Sequence, residues 1–92
     1  MKAMEVMSAL SQPTRLKVFE LLITKLPEGM AAGEIAEAIG TIPSAMSAHL
    51  AILSRAGLVK SKKVGRSVVY RADVAKARQL IEFLERVLPT QP

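Results

Sequence analysis

The sequence contains no cysteine. Disulfides, thiolate metal sites, thiol-based redox sensing and a cysteine nucleophile are therefore excluded together. A single histidine, His49, leaves imidazole-based metal or catalytic sites without a second ring. Aromatic residues are equally scarce: Phe19, Tyr70 and Phe83 are the whole complement. Since 50% of the 92 residues are hydrophobic, the core has to be built from Leu, Ile, Val, Ala and Met. That mixture suits packed helices better than a β-sandwich. No apolar run approaches the ~20 residues of a membrane span, and the Met-Lys start has no apolar signal core. The expectation is one cytoplasmic domain with no membrane association. A chain of this size buries roughly 60–65% of its unfolded surface, so a partner subunit is a common source of added stability.

Acidic residues are absent from one segment, and that absence organises the charge. The net charge is +5. Residues 1–40 sum to −1, residues 41–54 carry no formal charge, and residues 72–92 sum to zero. Residues 55–71 hold Arg55, Lys60, Lys62, Lys63, Arg66 and Arg71 with no acid, a sum of +6. A positive excess confined to one segment points to a polyanionic partner; the alternative is a solvated hairpin.

Hydrophobic spacing and turn residues divide the chain. Met4, Met7 and Leu10 recur at spacing three in a first helix over residues 1–10. Ser11 is the expected N-cap of a second helix, with Pro13 in its first turn. That helix is expected to reach Leu26 and to bury Leu16, Phe19, Leu22 and Ile23, with Pro27-Glu28-Gly29 ending it. A short helix from Ala32 to Ile39 faces Ile35, Ala36 and Ile39 inward and stops at Gly40. Pro43 opens the next helix, which runs to Ala56 with Met46, Leu50 and Leu53 on its buried face. The period then changes. Residues 58–64 and 67–72 read as strands of a hairpin around Gly65-Arg66, with Val68 and Tyr70 on one face and Val69 on the other. Asp73 is the expected N-cap of a last helix, Val74–Leu88, whose apolar stripe is Ala77, Leu80, Ile81, Leu84 and Leu88. Gln91 and Pro92 are expected to fray with Thr90.

The expected fold is mainly α with a small β-hairpin, in the order α-α-α-α-β-β-α. Two short helices around a tight glycine turn (32–56), followed by a basic hairpin (58–72), make a winged helix-turn-helix filling residues 1–92 as a single domain. The helix opened by Pro43 presents Ser44, Ala45, Ser47, Ala48, Ala51 and Arg55 away from its buried face. Small and hydroxylated side chains without an acid suit close approach to a major groove, and the helix N-terminus favours a phosphate. His49 lies beside the buried stripe. It is either a half-exposed residue bonded to backbone or a phosphate or base-edge contact. Lys60, Lys62, Lys63 and Arg66 around the hairpin tip are the candidate clamp, the lysines for phosphates and Arg66 for the minor groove. Met4, Met7 and Leu10, with Leu80, Ile81, Leu84 and Leu88, form apolar faces that a homodimer would bury. Two such readers one DNA turn apart predict a pseudo-palindromic operator.

Several blocks, taken in order, resemble the ArsR/SmtB family of bacterial repressors. They are Ala9-Leu10-Ser11-Gln12-Pro13-Thr14-Arg15-Leu16; Glu34-Ile35-Ala36-Glu37-Ala38-Ile39-Gly40; Met46-Ser47-Ala48-His49-Leu50-Ala51-Ile52-Leu53; Ala56-Gly57-Leu58-Val59; and Gly65-Arg66-Ser67-Val68-Val69-Tyr70-Arg71. The resemblance implies a dimeric repressor that leaves its operator when an inducer binds, with the first and last helices as the dimer face. The family's sensing sites do not carry over. Where many members have Cys-x-Cys, this chain has Ala31 and Gly33. Its last helix offers Asp73, Glu82 and Glu85 but no histidine. The tail Val87-Leu88-Pro89-Thr90-Gln91-Pro92 lacks the cysteines of the arsenic-responsive members that it otherwise resembles. Soft metals and trivalent arsenic require thiolates, so neither a metal nor a cofactor is expected. The effector, if one exists, is an unidentified small molecule or protein. The alternative to DNA binding is a winged-helix adaptor for other proteins. An enzyme is not expected, because no carboxylate pair, nucleophile or phosphate-binding loop stands in a catalytic spacing.

Overall fold

The structure is a computed structural model and describes residues 2–90; the expected fraying of Gln91 and Pro92 lies outside the described residues. Five helices and three strands follow in the order α1 (Ala3–Leu10), α2 (Pro13–Thr24), β1 (Met30–Ala31), α3 (Ala32–Ile39), α4 (Pro43–Arg55), β2 (Val59–Val64), β3 (Ser67–Ala72) and α5 (Val74–Val87). The helices and the hairpin agree with the sequence reading to within two residues at most ends. β1 is an addition. It pairs antiparallel with β3, Met30 opposite Tyr70 and Ala31 opposite Val69, and makes a sheet in the order β1-β3-β2. Two residues carry no alternation to detect; the pairing exists because the fold returns the α2–α3 connection to the hairpin. Gly29 makes this approach possible. Its φ is +81°, and a Cβ there would run into the Tyr70 carbonyl and the Arg71 side chain.

The first turn region departs from expectation. Ser11 does not cap α2. Its N–H and hydroxyl both bond the Ser8 carbonyl, at 3.2 and 2.8 Å, and so close α1. Gln12 is the cap instead, its Oε1 accepting from the Arg15 N–H at 2.8 Å. Arg15 also reaches back, donating from Nε to the Ala9 carbonyl (2.8 Å) and from a terminal nitrogen to the Ser8 carbonyl (3.4 Å). A cation on the last carbonyls of α1 complements the negative end of that helix.

The core is a single cluster. α1 supplies Val6 and Ala9; α2 supplies Val18, Phe19 and Leu22; α3 supplies Ile35 and Ala36. α4 supplies Met46, Leu50 and Leu53, and Leu58, Val59 and Ala72 close it from the sheet side. No polar side chain is buried among the described residues. α2 corrects the expected stripe: Val18 is buried while Leu16 and Ile23 are exposed. At 100° per residue Leu16 and Ile23 lie within about 20° of each other, just beyond the Phe19 edge of the buried Val18–Leu22–Phe19 arc. α1 behaves similarly. Spacing three drifts by 60° per step, so Met4 faces solvent (81% exposed) and Met7 stands at the margin, while Leu10 turns onto the core. In α5 only the first half touches the core, through Ala77 and Leu80; Ile81, Leu84 and Leu88 are exposed.

Candidate nucleic-acid interface

The two helices of the motif are set by their junction. Gly40 adopts φ +79° and donates to the Ala36 carbonyl at 2.9 Å, ending α3 in a left-handed residue. Thr41 and Ile42 then extend, Pro43 pre-sets the first turn of α4, and the axis has turned by 110°. At the start of α3, Glu34 reaches back to the Ala31 N–H at 3.0 Å. α2 and α5 are capped by Gln12 and Asp73. α4 differs: Ile42 is its N-cap residue and no side chain caps it. Its first turn also carries no acid. The N–H groups at this end are thus open to an external acceptor, with the positive end of a 13-residue helix behind them.

α4 buries Met46, Leu50 and Leu53 and exposes Ser44, Ser47, Ala48, Ala51, Ser54 and Arg55; Ala45 and His49 are half-buried on the flank. Ser44, Ala48, Ala51 and Arg55 recur at helical spacing and form one outer ridge. The ridge is not uniform along its length. Ser44, Ala45, Ser47 and Ala48 gather at the open N-terminal end. Arg55 ends the helix about 16 Å away at 1.5 Å per residue, beside a hollow it shares with Glu5, Ser8 and Ala9 of α1. The structure therefore separates Arg55 from the other candidate readers. His49 is half-buried, and its Nδ1 is buried without a hydrogen-bond partner. The backbone-bonded reading of this ring does not hold for Nδ1.

The hairpin register is Val59–Ala72, Lys60–Arg71, Ser61–Tyr70, Lys62–Val69, Lys63–Val68 and Val64–Ser67. Strand alternation then sorts the cations. Val59, Ala72 and half-buried Tyr70 mark the core-facing side, which Ser61, Lys63 and Val68 continue outward. Lys60, Lys62 and Arg71 stand on the opposite face with Val69. Lys63 and Arg66 are at the tip end. Lys60 is at the base, where its Nζ lies 3.5 Å from Asp73 Oδ2. The lysine side chain is 79% exposed, so this pair adds little stability and leaves the ammonium accessible. The expected tip cluster is in fact spread over two faces and the length of the hairpin. Arg71, at the far end of the basic segment and not among the residues expected at the tip, shares the face of Lys60 and Lys62.

Residues 10–62 match the model of a helix-turn-helix domain family. Over 86 residues the chain is 31% identical to the transcriptional activator HlyU of Vibrio cholerae, covering 94% of this chain and 77% of that protein. It is 32% identical over 87 residues to the biofilm growth-associated repressor of Xylella fastidiosa, covering 94% and 73%. Among solved structures, an ArsR-like transcriptional regulator from Rhodococcus sp. RHA1 superposes with a TM-score of 0.80 at 33% identity, covering 92% of this chain and 77% of that one. The homodimeric winged helix-turn-helix DNA-binding domain of Mb0332 from Mycobacterium bovis gives 0.72 at 29% identity, covering 95% and 85%. The chain belongs to the ArsR family of winged helix-turn-helix transcriptional regulators.

Proposed function

We propose that two copies of this chain pair through α1 and α5 and bind a pseudo-palindromic operator as a repressor, each copy placing the N-terminal half of α4 in a major groove. The observation that carries this reading is the uncapped, acid-free start of α4, with Ser44, Ala45, Ser47 and Ala48 exposed or half-exposed around it. Small side chains let the helix approach base edges. The hydroxyls of Ser44 and Ser47 donate or accept there, and the open N–H groups take a phosphate. Lys60, Lys62, Lys63 and Arg66 supply the salt-dependent, sequence-independent part of the affinity, with Arg66 at the exposed turn suited to a narrow minor groove. The Met4 and Met7 side of α1 and the exposed Ile81, Leu84 and Leu88 of α5 are the apolar faces that a second copy covers. Leu10 and Leu80 are half-buried against the protomer's own core and support those faces from beneath. The homodimeric state of Mb0332 supports the pairing of two copies.

Repression follows when the dimer occupies DNA that the polymerase needs. The effector, if there is one, acts without thiolates, because the chain has no cysteine. A mobility-shift titration against selected random duplexes, followed by footprinting, tests the proposal. The expected result is a two-fold symmetric footprint with half-sites about one DNA turn apart. Retention of all duplexes with equal affinity, or a single unsymmetrical footprint, overturns it.

A further inference from the structure

The sheet face opposite the core holds a cleft of about 410 Å³. Pairing of Lys60 with Arg71 and of Lys62 with Val69 puts three cations around one valine on this face. The chain arriving from α2 forms one wall. The backbone of Gly29 lies so close to Val69 and Arg71 that an added Cβ would press on both side chains, and Leu26 and Pro27 stand above it. Val74, the first residue of α5, forms the other wall. The floor and walls are apolar and the rim is cationic. The one acid lining the cleft, Asp73, is already engaged: Oδ1 accepts from the Lys76 N–H at 3.2 Å, and Oδ2 lies 3.5 Å from Lys60 Nζ. Glu28, in the same loop, is exposed and does not line the cleft. Lys62 and Arg71 therefore have no anionic partner among the described residues.

We propose that this cleft binds a small amphipathic organic anion. Its carboxylate is held by Lys62 and Arg71, and its apolar body rests on Val69 between Pro27 and Val74. The volume suits a ligand of one or two rings, and an apolar pocket with a few convergent polar groups is the usual form of such a site. Arg71 offers a planar fork for a carboxylate. The site also has a means of acting. Lys62 belongs to the proposed DNA clamp and Arg71 stands on the same face, so an anion held by this pair competes with phosphate for the Lys62 charge. This coupling rests on the DNA-binding reading; the cleft itself does not.

The test uses the full chain, ¹⁵N-labelled, titrated with naphthalene-1-carboxylate and separately with its neutral carboxamide. The carboxylate is expected to shift the amides of residues 26, 28–29, 60–62 and 69–74, and the carboxamide to bind at least about ten-fold more weakly. Val74→Glu sets a carboxylate in the cleft at the start of α5, where an acid favours the helix. Val74 is 37% exposed, so the fold is not at risk. This variant is expected to lose carboxylate binding by about ten-fold or more, and its half-saturation on operator DNA is expected to rise without any ligand, because the fixed carboxylate faces the same cations. Saturating carboxylate is expected to raise the parent's half-saturation on DNA and to leave that of Val74→Glu unchanged. The proposal is overturned by an absence of shifts at millimolar carboxylate. Equal binding of the carboxamide, shifts confined to α1 and α5, or a Val74→Glu protein that binds as the parent does would overturn it too. Amide shifts in the cleft of a protein that never retains DNA would keep the cleft and remove the DNA-binding reading.

Discussion

At the scale of single residues, two positions, Arg15 and Gly29, hold the scaffold of the reader without belonging to it. Arg15 ties the end of α1 to the start of α2 through the Ala9 and Ser8 carbonyls. Hydrogen bonds from a charged donor contribute about 1.5–3 kcal/mol each, and the outer of these two is long and exposed. Arg15→Ala is expected to lower unfolding free energy by about 2 kcal/mol, measured by urea titration, with the slope unchanged. Gly29 is under a harder constraint, combining positive φ with backbone contact. Gly29→Ala is expected to destabilise by about 2 kcal/mol or more. The loss of β1–β3 pairing should appear as faster amide exchange at Met30 and Tyr70, the hydrogen-bonded pair of that ladder. Protection equal to that of the parent at both amides would show that the loop accommodates the methyl group. Neither role was legible in the sequence. Arg15 reads as one more surface cation, and Gly29 as the end of a helix.

At the scale of elements, α4 and the hairpin divide the work between specificity and affinity. Ser44 and Ser47 occupy the open end of α4. Replacing both with alanine is expected to reduce specific binding by about 1–3 kcal/mol while non-specific binding is nearly unchanged. Competition between operator and random duplex measures that ratio. Lys62→Ala with Lys63→Ala should weaken both kinds of binding and lower the log–log salt slope by about 0.9 for each phosphate no longer neutralised. A slope identical to the parent's would remove these lysines from the clamp. The helical period placed Met46, Leu50 and Leu53 inside and the serines outside without further information, because one helix face must be apolar to pack. The same reasoning failed in α2. There the apolar residues exceed one face, so periodicity alone did not choose between Leu16 and Val18. The core chose, through the position of α2 against α1, α3 and α4.

At the scale of the whole molecule, the single chain is unevenly covered. Its radius of gyration is 14.2 Å, against about 12 Å for a compact chain of this length. α5 has no fully buried residue, and Met4, Ile81, Leu84, Val87 and Leu88 are exposed. Covering these faces is the physical reason for a second copy. Leu84→Glu is therefore expected to give a monomeric mass by light scattering at micromolar concentration, with the helical circular dichroism of the parent. The DNA half-saturation point should rise steeply, because one reader replaces two. A dimeric Leu84→Glu protein would place the interface elsewhere.

What the sequence determined by itself was local or compositional. It set the five helices, the hairpin, the acid-free basic segment and the absence of any thiol chemistry. Each of these depends on spacing within a dozen residues or on the presence of a residue type. The tertiary structure alone decided the relations between segments distant in the chain. It added β1 to the sheet, turned Leu10 inward and Leu16 outward, and set Arg55 beside Glu5, Ser8 and Ala9 of α1. It also gathered Lys62, Val69 and Arg71 with Leu26 and Pro27 around one cleft. Such relations arise from packing and strand pairing across the fold, and no local period records them. The missing cysteine thus removed one kind of switch, and only the folded sheet offered a cationic cleft where another could act.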